Sequence, residues 1–130
     1  MLRIEIEDGR MAFRPGEEVR GVASWELPEA PEAVELRLLW YTAGIGTRDV
    51  GVVHRAPFQQ PGAAGSRDFA IQLPDGPYSF SGKLISLVWA LELVARKPDG
   101  CARVELTVSP TRREVLLYPD EGTRPDEAAG

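Results

Sequence analysis

The chain has 130 residues and a formal net charge of −5, with 43% hydrophobic and 27% charged residues. This length suits one domain that is stable without metals or disulfides, and the acidic balance disfavours nucleic acid and anionic lipid as partners. The only cysteine, Cys101, excludes an intramolecular disulfide, so we expect a reducing, cytoplasmic location. The longest mostly apolar run, residues 84–95, is interrupted by Ser86 and Glu92, so we expect no integral membrane segment.

Short stretches in which apolar and polar residues alternate recur along the chain, and turns rich in glycine and proline separate them. A period of two is typical of a strand with one buried face. The alternation predicts strands, in chain order, over residues 2–6, 18–25, 34–40, 69–73, 85–93 and 104–108. A further strand-like segment covers residues 114–118. No stretch shows a helical stripe with capping residues.

Seven or more short strands joined by such turns predict an all-β fold, a two-sheet antiparallel sandwich of the immunoglobulin-like type. We expect Trp25, Trp40 and Trp89 on its inner faces, since large rings contribute most when they are buried. We place the domain at residues 1–119. Residues 120–130 lack apolar periodicity, and we expect them to form a disordered acidic tail.

Two turn motifs occur in a fixed order along the chain. The first is a Pro-Gly turn that leads directly into a strand, and the second is a strand ending in Leu-Pro, followed by a Pro-x-Ser loop, a glycine and a long strand. This order resembles the N-terminal domain of arrestins, and it is similar to the retromer cargo-adaptor subunit and bacterial arrestin-like proteins over roughly residues 2–110. The motif residues are Pro15, Gly16, Pro74, Pro77, Ser79 and Gly82.

The resemblance implies an arrestin-type sandwich that acts through protein contacts, with the motif residues in structural roles. Arrestins contain two such sandwiches and this chain has room for one, so the polar core between their lobes is not carried over. The paired lysines that sense receptor phosphates are absent from the first strand, where only Arg3 is basic. We therefore expect a non-catalytic interaction or scaffolding domain without the receptor-regulating role.

Outward apolar residues on the long strands are the candidates for an interface. If Trp40 and Trp89 point inward, their neighbours in sequence point outward, and exposed apolar patches often mark interfaces. The segment 114–118 either closes a sheet edge within the chain or adds to the edge of a neighbour. We expect a protein partner, with a second copy of the chain among the candidates, at Leu39, Tyr41, Val88, Leu116 and Tyr118.

Two other classes of function stay open. A sandwich that binds a small ligand or carbohydrate needs aromatic rings exposed at a loop end, and Tyr78, Phe80 and Phe58 are available for this. An enzyme needs His54, the sole histidine, beside Cys101 or a carboxylate cluster in a cleft. Because no catalytic motif supports that arrangement, we expect no catalytic residue, metal or cofactor.

Overall fold

A computed structural model describes residues 1–44, 49–82, 85–110 and 115–117, and these fold into strands with no α-helix among them. A single 3-10 turn, Glu7–Gly9, follows the first strand. The strands are β1 (Leu2–Ile6), β2 (Ala12–Phe13), β3 (Glu18–Glu26), β4 (Ala33–Gly44), β5 (Val50–Pro57), β6 (Ala64–Gln72), β7 (Phe80–Gly82), β8 (Ile85–Arg96), β9 (Gly100–Val108) and β10 (Val115–Leu117). Every strand predicted from the alternation is present.

The strands form two sheets. The smaller has three strands in the order β1-β3-β6, and the larger has seven, with a central path β10-β7-β8-β4-β5. Strand β9 continues the larger sheet beside β8 and also pairs with β2. Most neighbours are antiparallel, whereas β10–β7 and β2–β9 are parallel. The predicted two-sheet sandwich is therefore confirmed.

The core lies between the two sheets and comes from the alternating inner residues. Trp25 and Trp89 are buried there, as predicted, and burial of each large side chain contributes about 1.5–3 kcal/mol. Trp40 is only half-buried and packs against the margin of the core. Its ring lies against Gly51 of β5, where an added Cβ would stand 2.4 Å from a ring carbon. Glycine at residue 51 thus makes room for the ring.

The first turn motif folds onto the end of β6. Gly16 has a φ of +80°, and the N–H of Glu17 donates to the carbonyl of Arg14 at 3.1 Å, as in a type II turn with proline before the glycine. The N–H of Gly16 donates to the carbonyl of Pro74 at 3.3 Å. A backbone hydrogen bond therefore connects two motifs that lie far apart in sequence.

The loop of the second motif is fixed to the core. The indole Nε1 of Trp89 donates to the carbonyl of Pro77 at 2.8 Å. Ser79 is buried, its N–H donates to the carbonyl of Val108 at 2.7 Å, and its hydroxyl accepts from the N–H of Val108 at 2.9 Å. The loop leads into β7, which ends at Gly82.

Candidate functional site

The outer face of the larger sheet carries the first three candidate interface residues. Tyr41 of β4 stands opposite Val88 of β8, and Leu39 stands opposite Ala90. Residues opposite each other in an antiparallel pair point to the same face. The structure therefore brings Leu39, Tyr41 and Val88 together, on the side of the sheet that faces away from the core.

The prediction that Leu39 is exposed at an interface is wrong, because only 4% of this residue is accessible. Leu39 lines a small cavity of about 140 Å³ together with Tyr41, Glu92 and Arg103. The side chains of these three residues are longer, and they cover Leu39. Tyr41 and Val88 are half-buried. The part of the outer face around Leu39 is consequently covered by longer side chains, two of them charged.

A polar network covers this face. The guanidinium of Arg103 donates to Glu92 through both Nε and Nη2, and it stacks on the ring of Tyr41 at 5.0 Å from the centroid. The Tyr41 hydroxyl donates to Glu105 at 2.9 Å. Partial burial, followed by this hydrogen bond, raises the pKa of Tyr41. Because Glu92 is buried, Arg103 neutralises a carboxylate that has lost most of its water.

The last two candidate residues lie near the end of the described chain. Leu116 belongs to β10, which pairs in parallel with β7 and places Leu116 beside Ser81. Of the two alternatives left by the sequence, β10 thus extends a sheet within the chain. Tyr118 and residues 119–130, which include the predicted domain boundary and tail, lie outside the described residues.

The three aromatic residues considered for a ligand site do not form an exposed platform. Phe58 stacks on Trp25 with ring centroids 5.6 Å apart, and Phe80 is half-buried against the core. Tyr78 alone is well exposed. A carbohydrate-binding surface needs several accessible rings, and two of these three rings stabilise the core instead.

The residues considered for catalysis lie on different strands. His54 is in β5 and Cys101 is in β9, with β4 and β8 between them, so these strands run about 14 Å apart at a spacing of ~4.8 Å. Partial burial raises the pKa of the Cys101 thiol, which lowers its reactivity. Among the described residues, no group of three or more histidine, cysteine or acidic side chains is placed to hold a metal ion.

A surface that the alternation did not indicate lies on β5. Within the described segments β5 pairs with β4 alone, so its other side is a free edge of the larger sheet. Val50, Val52 and Val53 are 62%, 40% and 43% accessible, and among the residues that the structure describes they account for half of the large hydrophobic ones that are exposed. We call the segment Val50–Val53 the β5 edge.

A β-bulge explains why the pattern of β5 is hard to read in the sequence. Leu38 pairs with His54 and Leu39 pairs with Val52, so Val53 is an extra residue on β5. A bulge shifts the alternation by one residue, and two adjacent valines then break the period of two. Three valines within four residues, shortly after Gly44 and Gly46, are the sequence signal that could have identified this edge.

The β5 edge has two chemically different sides. Val50 and Val52 share the outer face with their partners Tyr41 and Leu39. On the opposite side, a cleft of about 420 Å³ separates the strand from the Pro-Gly turn and the end of β6. This cleft is lined by Val53, His54, Gly16, Gln72, Leu73, Pro74 and Asp75.

The edges of the smaller sheet are chemically different from the β5 edge. Strand β6 exposes Ser66, Asp68 and Gln72, and β1 exposes Arg3 and Glu5. Charged and polar side chains on edge strands discourage pairing with other chains. Of these three edges, β5 is the one whose exposed side chains are mainly apolar.

Comparison with known proteins identifies a fold and no sequence family. No protein-family model and no curated protein matches the chain. A solved structure, that of the sporulation control protein Spo0M from Bacillus subtilis, is similar with a TM-score of 0.58 at 20% identity, over 83% of this chain and 48% of that one. The chain thus spans about half of Spo0M.

Within the described residues, no helix has the length and apolar character needed to cross a bilayer. The chain has an arrestin-like β-sandwich fold.

Proposed function

We propose that the chain is a non-catalytic protein–protein interaction or scaffolding domain that binds its partner along the β5 edge. The observation that carries this proposal is the free edge of the larger sheet with three accessible valines. Long, apolar edge strands pair readily with other chains, and natural proteins normally protect them. An exposed edge of this composition therefore favours a binding role.

The edge and its cleft suit recognition by strand addition. In this mode the backbone of an added strand hydrogen-bonds to the free edge, while side chains enter the pockets beside it. Val50 and Val52 offer apolar contact on the outer face, and the cleft at His54 and Asp75 offers polar contact on the other. Strand β5 pairs with β4, which is itself paired with β8 along its whole length, so the edge belongs to a continuous sheet.

The proposal has further parts, which the sequence and the arrangement of the described residues support. The domain covers residues 1–119 with an acidic tail at 120–130, and it works in the cytoplasm, where a lone cysteine stays reduced. The separation of His54 from Cys101 supports a non-catalytic role. The burial of Phe58 and Phe80 disfavours the carbohydrate-binding alternative.

Affinity capture from the cells that express the chain tests the proposal. The baits are the natural chain, the variant Val50→Lys, and the control variant Ala64→Lys, which places the same charge on the edge strand β6 of the other sheet. We expect proteins that bind the natural chain and the control to be lost from Val50→Lys. An identical set of bound proteins on all three baits contradicts docking at the β5 edge.

A further inference from the structure

We infer that a second copy of this chain binds at the β5 edge, with the two β5 strands antiparallel about a two-fold axis at Gly51. This inference rests on the proposed function, since it names the occupant of the same edge. A two-fold interface uses the same surface on both copies, so the surface must complement itself. The β5 edge meets that requirement in its sequence, its backbone direction and its charge.

Residues 50–52 of the edge, Val-Gly-Val, read the same in both directions around Gly51. Antiparallel pairing about this residue places Val50 of one copy opposite Val52 of the other, and the same pair occurs again across the axis. Val50 and Val52 share the outer face of the sheet within each copy. Four valines, 62% and 40% accessible before pairing, therefore form one apolar cluster across the axis.

The backbone of the edge is oriented for this register. The carbonyl of Asp49 accepts from the N–H of Thr42 at 2.9 Å, so residue 49 directs its polar groups toward β4. Because alternate residues of an edge strand direct their amide and carbonyl groups to opposite sides, Val50 and Val52 direct theirs away from β4. These are the two residues that the register pairs across the axis. The ring of Trp40 lies against Gly51, and an added Cβ would stand 2.4 Å from it, so a glycine is required at the axis.

The charges and the bulge define how far the pairing extends. The chain carries a net charge of −5, yet residues 50–53 hold no ionisable side chain, so the two copies approach without like charges in contact at the axis. The bulge at Val53 bends the strand and ends regular pairing there. The interface is accordingly short, and short interfaces are typical of reversible association. We therefore infer a dimer whose population depends on concentration.

Sedimentation equilibrium of the purified chain tests this inference. Between about 10 µM and about 1 mM, a range that spans weak affinities, we expect the average mass to rise from that of one chain, 14.3 kDa, toward twice that value. Val50→Lys and Val52→Glu each place a charge in the apolar cluster, so each variant alone stays monomeric. The control Ala64→Lys lies on another edge and dimerises like the natural chain.

An equal mixture of the two variants tests the register itself. In the register about Gly51, the ammonium introduced by Val50→Lys faces the carboxylate introduced by Val52→Glu on the other copy, so the mixture dimerises at low salt. Circular dichroism of each variant confirms that its sheets are intact. A natural chain that stays at 14.3 kDa to about 1 mM, or a mixture that stays monomeric, overturns the inference. If the natural chain is monomeric while capture still depends on Val50, the proposed function stands and another protein occupies the edge.

Discussion

Replacing Arg103 by methionine tests the conclusion that a polar network covers the part of the outer face around Leu39. Arg103→Met keeps much of the aliphatic length of the side chain and removes both hydrogen bonds to Glu92. The carboxylate of Glu92 is buried and loses the cation that neutralises it. We therefore expect a loss of stability that a surface ion pair would not show.

The exposure of the two side chains determines the magnitude. Removing one partner of a fully buried pair costs about 3–5 kcal/mol, whereas an exposed pair contributes about 0–1 kcal/mol. Glu92 is buried, but the Arg103 side chain is 46% accessible, so solvent screens part of the interaction. We expect a decrease of about 2 kcal/mol in the free energy of unfolding, or roughly 8 °C in Tm for a domain of this size.

Urea unfolding of a double-mutant cycle measures this effect. The double variant Glu92→Met/Arg103→Met removes the unpaired charge, so we expect it to be more stable than Arg103→Met alone. The control is Arg3→Met, which breaks an ion pair with Glu5 whose side chains are 64% and 61% accessible, and we expect a change within about 0.5 kcal/mol. An Arg103→Met variant as stable as the natural chain would refute this polar network.

Three further predictions concern single residues. Gly21→Ala places a Cβ 2.1 Å from the backbone oxygen of Glu5, so we expect urea unfolding to show a loss of about 3 kcal/mol. As a control, Gly100→Ala meets only a flexible side-chain methyl at 2.5 Å, and we expect a loss of less than about 1 kcal/mol. Tyr41 has a raised pKa in the folded state, so its contribution to stability is complete below the ordinary tyrosine pKa and is lost as pH rises through the folded value. Thermal unfolding between pH 9 and pH 12 should show a steeper loss for the natural chain than for Tyr41→Phe, and equal slopes would contradict this. The raised pKa of Cys101 predicts slower reaction with an aromatic disulfide reagent at pH 8 than free cysteine shows, and an equal or faster rate would contradict it.

The strands were predictable because each of the long central ones keeps one face in the core. Val34, Leu36 and Leu38 alternate without interruption, and all three are buried as this spacing requires. The period of two follows from the pleat of the backbone, so it appears in the sequence wherever one face of the strand is buried. The fold was therefore largely readable from local pattern and from the ordered turn motifs.

The candidate site was less predictable, since it depends on side chains from different strands. Leu39 points outward as the alternation indicates, yet Arg103 from a strand more than 60 residues later in the chain helps to cover it. Alternation gives the direction of a side chain and not what lies above it. The β5 edge was missed for another reason, because the extra residue Val53 shifts the period within the strand.

The contacts between turn motifs are a third feature that sequence order leaves open. The Pro-Gly turn at residue 15 and the Leu-Pro at residue 73 meet because β3 and β6 pair in an antiparallel register from Glu18–Gln72 to Glu26–Ala64. That register brings the start of one strand to the end of the other. The turn then also forms one wall of the cleft beside the β5 edge.

Amide hydrogen exchange of β5 tests the central claim, that this edge is the docking surface, most directly. The amides of Val50 and Val52 point away from β4, so we expect fast exchange in dilute solution and slow exchange once an added strand occupies the edge. The comparison is the chain at dilute concentration against the chain at about 1 mM or with its captured partner. Protection gained at the amides of Val50 and Val52 is the predicted result. Unchanged exchange there, with protection gained around Val88 on the outer face instead, would contradict the account.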